Sequence, residues 1–181
     1  MASLFRQEGL VVAPSKPLNF DPIEEARRQW IAHGWGHAAD GMTVVTSVFR
    51  AQRIYLARID VALRPFDLTF ARFEVLTLLS FTKGGSLPMS KVGSRLQVHP
   101  TSVTSTVDRL ELQGLVRRMP HETDRRTTLA EILPAGRRTL GRATTALNER
   151  VFSDLGISST DAKVLFTIVR ELRASERDFE S

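Results

Sequence analysis

The chain has 181 residues, 42% hydrophobic and 25% charged, which suits one domain with an added oligomerisation element and is too apolar for a disordered segment. It contains no cysteine, so disulfides, thiol nucleophiles and thiolate metal sites are excluded. Lys+Arg outnumber Asp+Glu by 25 to 20, a formal charge of +5, and only Lys16, Lys83, Lys91 and Lys163 among those bases are not arginine, whose planar fork suits phosphates and guanine edges.

No run approaches the roughly 18 apolar residues of a membrane span, and no basic segment followed by an apolar stretch opens the chain. A cytoplasmic protein with no membrane partner is expected. Residues 1–19, with Pro14 and Pro17, read as an extended arm. Asp21-Pro22 is a helix start, with Asp as cap and Pro in the first position. Gly34-Trp35-Gly36 breaks that helix. A longer helix over about 38–64 carries Val44, Val45, Val48, Phe49, Tyr55, Leu56, Ile59 and Leu63. These cover more than one stripe, so the helix needs cover from two sides, and a second subunit would supply it. Pro65 ends it. Thr69 caps a helix over about 70–82 with Phe70, Phe73, Leu76 and Leu79 inward, stopped by Gly84-Gly85.

Pro88 opens a short helix, 88–95. Gln97-Val98-His99 is a tight turn, and Pro100 starts a helix over 100–113 that Gly114 stops. Leu115–Met119 and Thr127–Leu133 read as strands of a hairpin around the polar loop 120–126. Pro134 opens a helix to about 153. Ser158 and Asp161 start the last one, roughly 159–178, with Val164, Leu165, Ile168, Val169 and Leu172 as its stripe.

Helix, short helix, turn, helix and hairpin is the order of a winged helix-turn-helix, whose second helix enters a DNA major groove. The expected fold is therefore mainly α with a small β-hairpin wing. The DNA-binding lobe would span 65–134, and a helical dimerisation region would span 20–64 and 135–181.

At 100° per residue, Val103, Val107 and Leu110 share the inward face of the second helix. Thr101, Ser105 and Asp108 lie opposite, flanked by Ser102, Thr104 and Arg109. A merely solvated face would carry Glu, Lys and Gln, whereas short hydroxyls allow close approach to phosphates and bases. The window 85–128 holds Lys91, Arg95, Arg109, Arg117, Arg118, Arg125 and Arg126 against Asp108, Glu111, Glu122 and Asp124, so seven minus four gives +3. The candidate DNA-facing residues are Lys91, His99, Pro100, Thr101, Ser102, Thr104, Ser105, Arg109, Asp124, Arg125 and Arg126. His99 also reads as the cap of the second helix.

His33 and His37 have the spacing of a helical metal pair, but the glycines between them interrupt the helix. No metal, no cofactor and no catalytic constellation is expected, since there is no phosphate-binding glycine loop, nucleophile elbow or carboxylate pair.

The stretches DLTFARFEVLTLLS, SKVGSRLQVHPTSVTSTVDRLELQGLVRR and DRRTTLAEILPAGR, with the wing pair Asp124 and Arg126, resemble the multiple antibiotic resistance regulator (MarR) family over about 38–178. The resemblance implies a homodimer on a pseudo-palindromic double-stranded DNA operator, often released by a small phenolic or aromatic carboxylate effector. It implies that Arg126 enters the minor groove, with Asp124 orienting its fork; a narrow minor groove attracts Arg through its negative potential. Its effector site would draw on Phe49, Arg50 and Arg53 of the long helix and Phe70 and Phe73 of the next. An Arg pair beside aromatic rings suits a planar carboxylate; the plainer reading makes the rings core and the arginines solvated. The expected function is a homodimeric, sequence-specific transcriptional regulator, a repressor released by such a ligand. The alternatives are a winged-helix module that binds protein, or a DNA-binding regulator without a ligand.

Overall fold

A computed structural model describes residues 17–121, 123, 124 and 126–180, so the expected arm over 1–19 lies almost wholly outside the described residues. The chain falls into two compact units divided between Ala57 and Arg58.

In the first unit, Asp21 caps α1 (Pro22–Ala32) by accepting from the Ile23 amide at 2.8 Å, and Glu24 and Glu25 sit in its first turn. Those acids suit the positive end of the helix. Gly34, at φ +82°, turns the chain where a side chain would be strained. A short 3-10 turn, Gly36–Ala38, leads into α2 (Ala39–Leu63). Arg27 pairs with Asp40 at 3.0 Å, and the Trp30 and Trp35 rings meet edge to face at 5.1 Å. Along α2, Val44, Val45, Val48, Phe49 and Ile54 are exposed.

The second unit starts in the last turns of α2, where Ile59, Ala62 and Leu63 are buried. Thr69 caps α3 (Phe70–Ser80). Then come β1 (Ser86–Pro88), α4 (Met89–Leu96), α5 (Pro100–Leu112), β2 (Val116–Pro120), β3 (Thr128–Ile132), α6 (Pro134–Leu147) and α7 (Ser159–Ser175). A π-helical turn, Asn148–Phe152, continues α6. The sheet is antiparallel in the order β1-β3-β2, with Leu87 and Arg118 both in register with Ala130. Leu76, Leu79, Val92, Val107, Leu110, Val116, Ala130 and Leu147 form the buried centre. Gly136 lets the start of α6 press on the sheet: a Cβ there would stand 2.2 Å from the Leu115 carbonyl oxygen.

The mainly helical winged fold agrees with the expectation, and two local expectations change. Ser86–Pro88 is a strand, so Pro88 ends β1 instead of opening the helix, and α4 begins at Met89. The regular α-helix expected to 153 ends at Leu147, where the π turn takes over. Among the described residues, no helix is long and apolar enough to cross a membrane.

Candidate nucleic-acid interface

The His99 ring caps α5: its Nδ1 accepts from the Thr101 amide at 3.3 Å, and Pro100 takes the first helical position. Val103, Val107 and Leu110 are buried, as the spacing requires. Gly93 of α4 makes the close approach possible, since a Cβ there would lie 3.3 Å from a Val103 methyl. Thr101, Ser102, Thr104, Ser105, Asp108 and Arg109 are exposed together on the opposite side, and Lys91 is exposed on α4. Thr104 donates to the Pro100 carbonyl at 3.1 Å, so its hydroxyl proton is satisfied within the helix. No acid stands in the first turn of α5, which leaves the positive end of the helix dipole uncompensated by the chain.

Arg118 of β2 fastens the wing to α5. Its guanidinium reaches Asp108 at 2.6 Å, Glu111 at 2.8 Å and the Thr104 carbonyl at 3.2 Å. Its own amide donates to Glu111 at 2.8 Å. Arg117 pairs with Glu131, its register partner on β3. The charge sum over 85–128 counts both arginines toward a phosphate-facing charge. The structure corrects this, because strand pairing and the α5 acids engage them within the fold.

Arg126 is exposed on the wing and has no ion pair among the described residues. Asp124 accepts from the Thr127 hydroxyl at 2.7 Å and from the Arg126 amide at 3.0 Å. Those two hydrogen bonds, the Thr127 one foremost, hold its carboxyl below the usual carboxylate range. Asp124 thereby shapes the backbone of the loop at Arg126. Arg125 lies outside the described residues.

Two open clefts flank the exposed face of α5. One, of about 600 Å³, lies toward the wing and is lined by Ser90, Thr104, Asp108, Arg118, Arg126 and Thr128 among others. The other, of about 490 Å³, brings Ser105 and Arg109 together with Thr69 and Arg72 at the start of α3. Sequence reasoning misses Thr69 and Arg72 as parts of this surface. The cap and the residue three positions on are visible in the sequence, but their approach to α5 depends on tertiary packing.

The effector candidates divide between the units. Phe49, Arg50 and Arg53 are exposed on α2 in the first. In the second, the Phe70 and Phe73 rings stack at 6.3 Å, and Phe73 is only 7% exposed, so that ring belongs to the core. The His33 Nδ1 sits 2.7 Å from the Gln29 carbonyl, and among the described residues no group of three or more His, Cys, Asp or Glu could hold a metal ion.

The family model of the MarR family matches residues 68–128, from the start of α3 to the wing. The solved structure of Sco5413, a MarR family transcriptional regulator from Streptomyces coelicolor, is 44% identical in sequence. It superposes with a TM-score of 0.72, covering 78% of this chain and 99% of that one. This chain belongs to the MarR family of transcriptional regulators. YhbI of Bacillus subtilis, an HTH-type transcriptional regulator, is 29% identical over 97 residues, 54% of this chain and 60% of YhbI. The HTH-type transcriptional repressor MdtR of the same organism is 40% identical over 53 residues, 29% of this chain and 34% of MdtR. The chain thus spans less than two thirds of the length of these curated relatives. The MarR match contains α5, β2 and the wing loop up to the first residue of β3, the segments that present the exposed hydroxyls and Arg126.

Proposed function

We propose that this MarR-family chain is a homodimeric, sequence-specific DNA-binding regulator acting in the cytoplasm, a repressor that a small aromatic carboxylate or phenol releases. One observation carries the reading. The hydroxyl face of α5 and Arg109 stand exposed beside Arg126, which has no ion pair among the described residues, while Arg117 and Arg118 are paired with acids of the same lobe. The free positive charge is left where a duplex would run. Arg126 would sit in a minor groove, and Thr101, Ser102, Thr104, Ser105 and Arg109 in the adjoining major groove, with Lys91 and the cap at His99 and Pro100 against phosphates. Arg125 would add charge to the same wing.

The lobe would be residues 65–134. Residues 20–64 and 135–181 would form the dimer, with 1–19 as an arm. Exposed apolar side chains support that division: Val44, Val45, Val48 and Phe49 on α2, and Val164, Leu165, Phe166, Ile168 and Leu172 on α7. Surfaces of this kind on a small chain mark association sites. Repression is the output that the name of MdtR carries for that relative. An effector reading is supported by Phe49, Arg50 and Arg53 on one exposed stretch of α2.

Selection of bound genomic fragments by the purified protein tests the proposal. Enrichment of fragments sharing an inverted repeat is expected, and benzoate- or phenol-type compounds should lower affinity for them. A winged helix that binds protein instead would enrich no fragment.

A further inference from the structure

We propose that the C-terminal turn of the chain, residues 176–179, is a strut that sets the placement of α5 relative to α7, with Gln97 as its positioning residue. The inference rests on the DNA-reading role of α5 given above.

Gln97 ends α4 in the left-handed region, at φ +53°, which side-chain-bearing residues enter at a cost. It stands two residues before His99, the cap of α5. Its side-chain Nε2 donates to the Asp178 carbonyl at 2.5 Å, joining the turn to a residue 81 positions away. That acceptor is itself fixed. α7 closes with Arg177 at φ +57°, and the Asp178 amide donates back to the Arg173 carbonyl at 3.0 Å. This is the six-to-one closure of a helix end. The Asp178 carboxylate accepts from Arg173 Nε at 2.5 Å. The Phe179 ring lies beneath both Arg170 and Arg173, with centroid distances of 5.3 and 5.4 Å. Cations over a ring in this way hold it in place.

Among its described residues α7 buries none, so packing within the chain does not fix its direction. Arg58 reaches the Asp154 carbonyl ahead of α7, and the strut ties down its far end. A shift of α7 is thereby passed to the turn that aims the recognition helix. In a dimer, the orientation of that helix sets which half-site spacing both subunits can read at once.

The test uses the full chain in two forms. Gln97→Asn keeps a residue tolerant of the left-handed region but is one methylene too short to reach Asp178. Asp178→Ala with Phe179→Ala loosens the acceptor and leaves Gln97 untouched. Binding is read by fluorescence anisotropy on the selected operator and on versions with the half-sites moved one base pair closer or further. Each variant should bind the native spacing about three- to tenfold more weakly, the scale of one neutral hydrogen bond. Discrimination between spacings should narrow, and a third form carrying all three substitutions should be no worse than either variant alone. Arg109→Ala, by contrast, should weaken binding and leave spacing discrimination intact. Amide hydrogen exchange over residues 98–103, without DNA, gives a second readout. It should speed up in both variants, and this decides the strut even if the parent chain selects no DNA, an outcome that would count against the DNA-binding reading itself. Parent-like exchange and parent-like spacing discrimination in both variants would overturn the proposal.

Discussion

Arg118 and Arg126 sit within one hairpin and do different work. Arg118 holds Asp108, Glu111 and the Thr104 carbonyl while half-buried. Arg118→Ala should therefore lower stability by about 1 kcal/mol, because the two acids it releases are solvent-accessible, and a slightly lower melting temperature would show it. Arg126 is exposed and unpaired among the described residues, so Arg126→Ala should leave the melting temperature unchanged. Operator binding should weaken by about 1–3 kcal/mol, most of all where the flanks are A·T-rich. The carboxylates titrate in opposite senses. Hydrogen bonds from Thr127 and the Arg126 amide lower Asp124, so its hold on the wing loop is complete above the ordinary Asp range and is lost as pH falls through its lowered value. Loss of order in the wing only below the ordinary Asp range, followed by NMR at Thr127, is expected. Burial raises Glu74, so the folded chain binds its proton more readily than the unfolded chain does, and stability declines as pH rises through the carboxylate range. Glu74→Gln should raise the melting temperature at pH 7, and the gain should vanish at acid pH.

Among the elements, α6 depends most on one residue. Gly136→Ala would drive a Cβ into the Leu115 carbonyl, and α6 cannot withdraw without breaking the bond from the Leu133 amide to that same oxygen. A loss of about 1–3 kcal/mol is expected in denaturant titration, the usual scale for overpacking. Element starts are readable in the sequence where the signal is local: Asp21, Thr69, His99-Pro100, Pro134 and Ser158 all cap or open helices. β1 is not readable, because three residues carry no period and its partner β3 lies about forty positions on. The inward face of α5 follows from spacing alone. The engagement of Arg117 and Arg118 does not, since a charge sum counts every arginine alike and only the strand register and the approach of β2 to α5 decide which remain free. The link from Gln97 to Asp178 joins residues 81 apart and has no local signal at all.

At the scale of the whole molecule, the proposed function assigns the exposed apolar faces of α2 and α7 to a dimer and the exposed hydroxyl face of α5, with Arg109, to DNA. Light scattering at micromolar concentration should give about twice 20.3 kDa. Val48→Glu together with Ile168→Glu should shift the mass toward one chain, because both side chains are more than half exposed and charges there would oppose an apolar interface. The central claim is that α5 and the wing bind duplex DNA through phosphates and grooves. The most direct test is an anisotropy titration of the parent and Arg126→Ala on a selected operator across a series of salt concentrations. The parent's log affinity should fall linearly with log salt, and Arg126→Ala should flatten the slope by about 1 per subunit, the share of a single cation. A salt-independent affinity in the parent, or an unchanged slope and affinity in Arg126→Ala, would contradict the account.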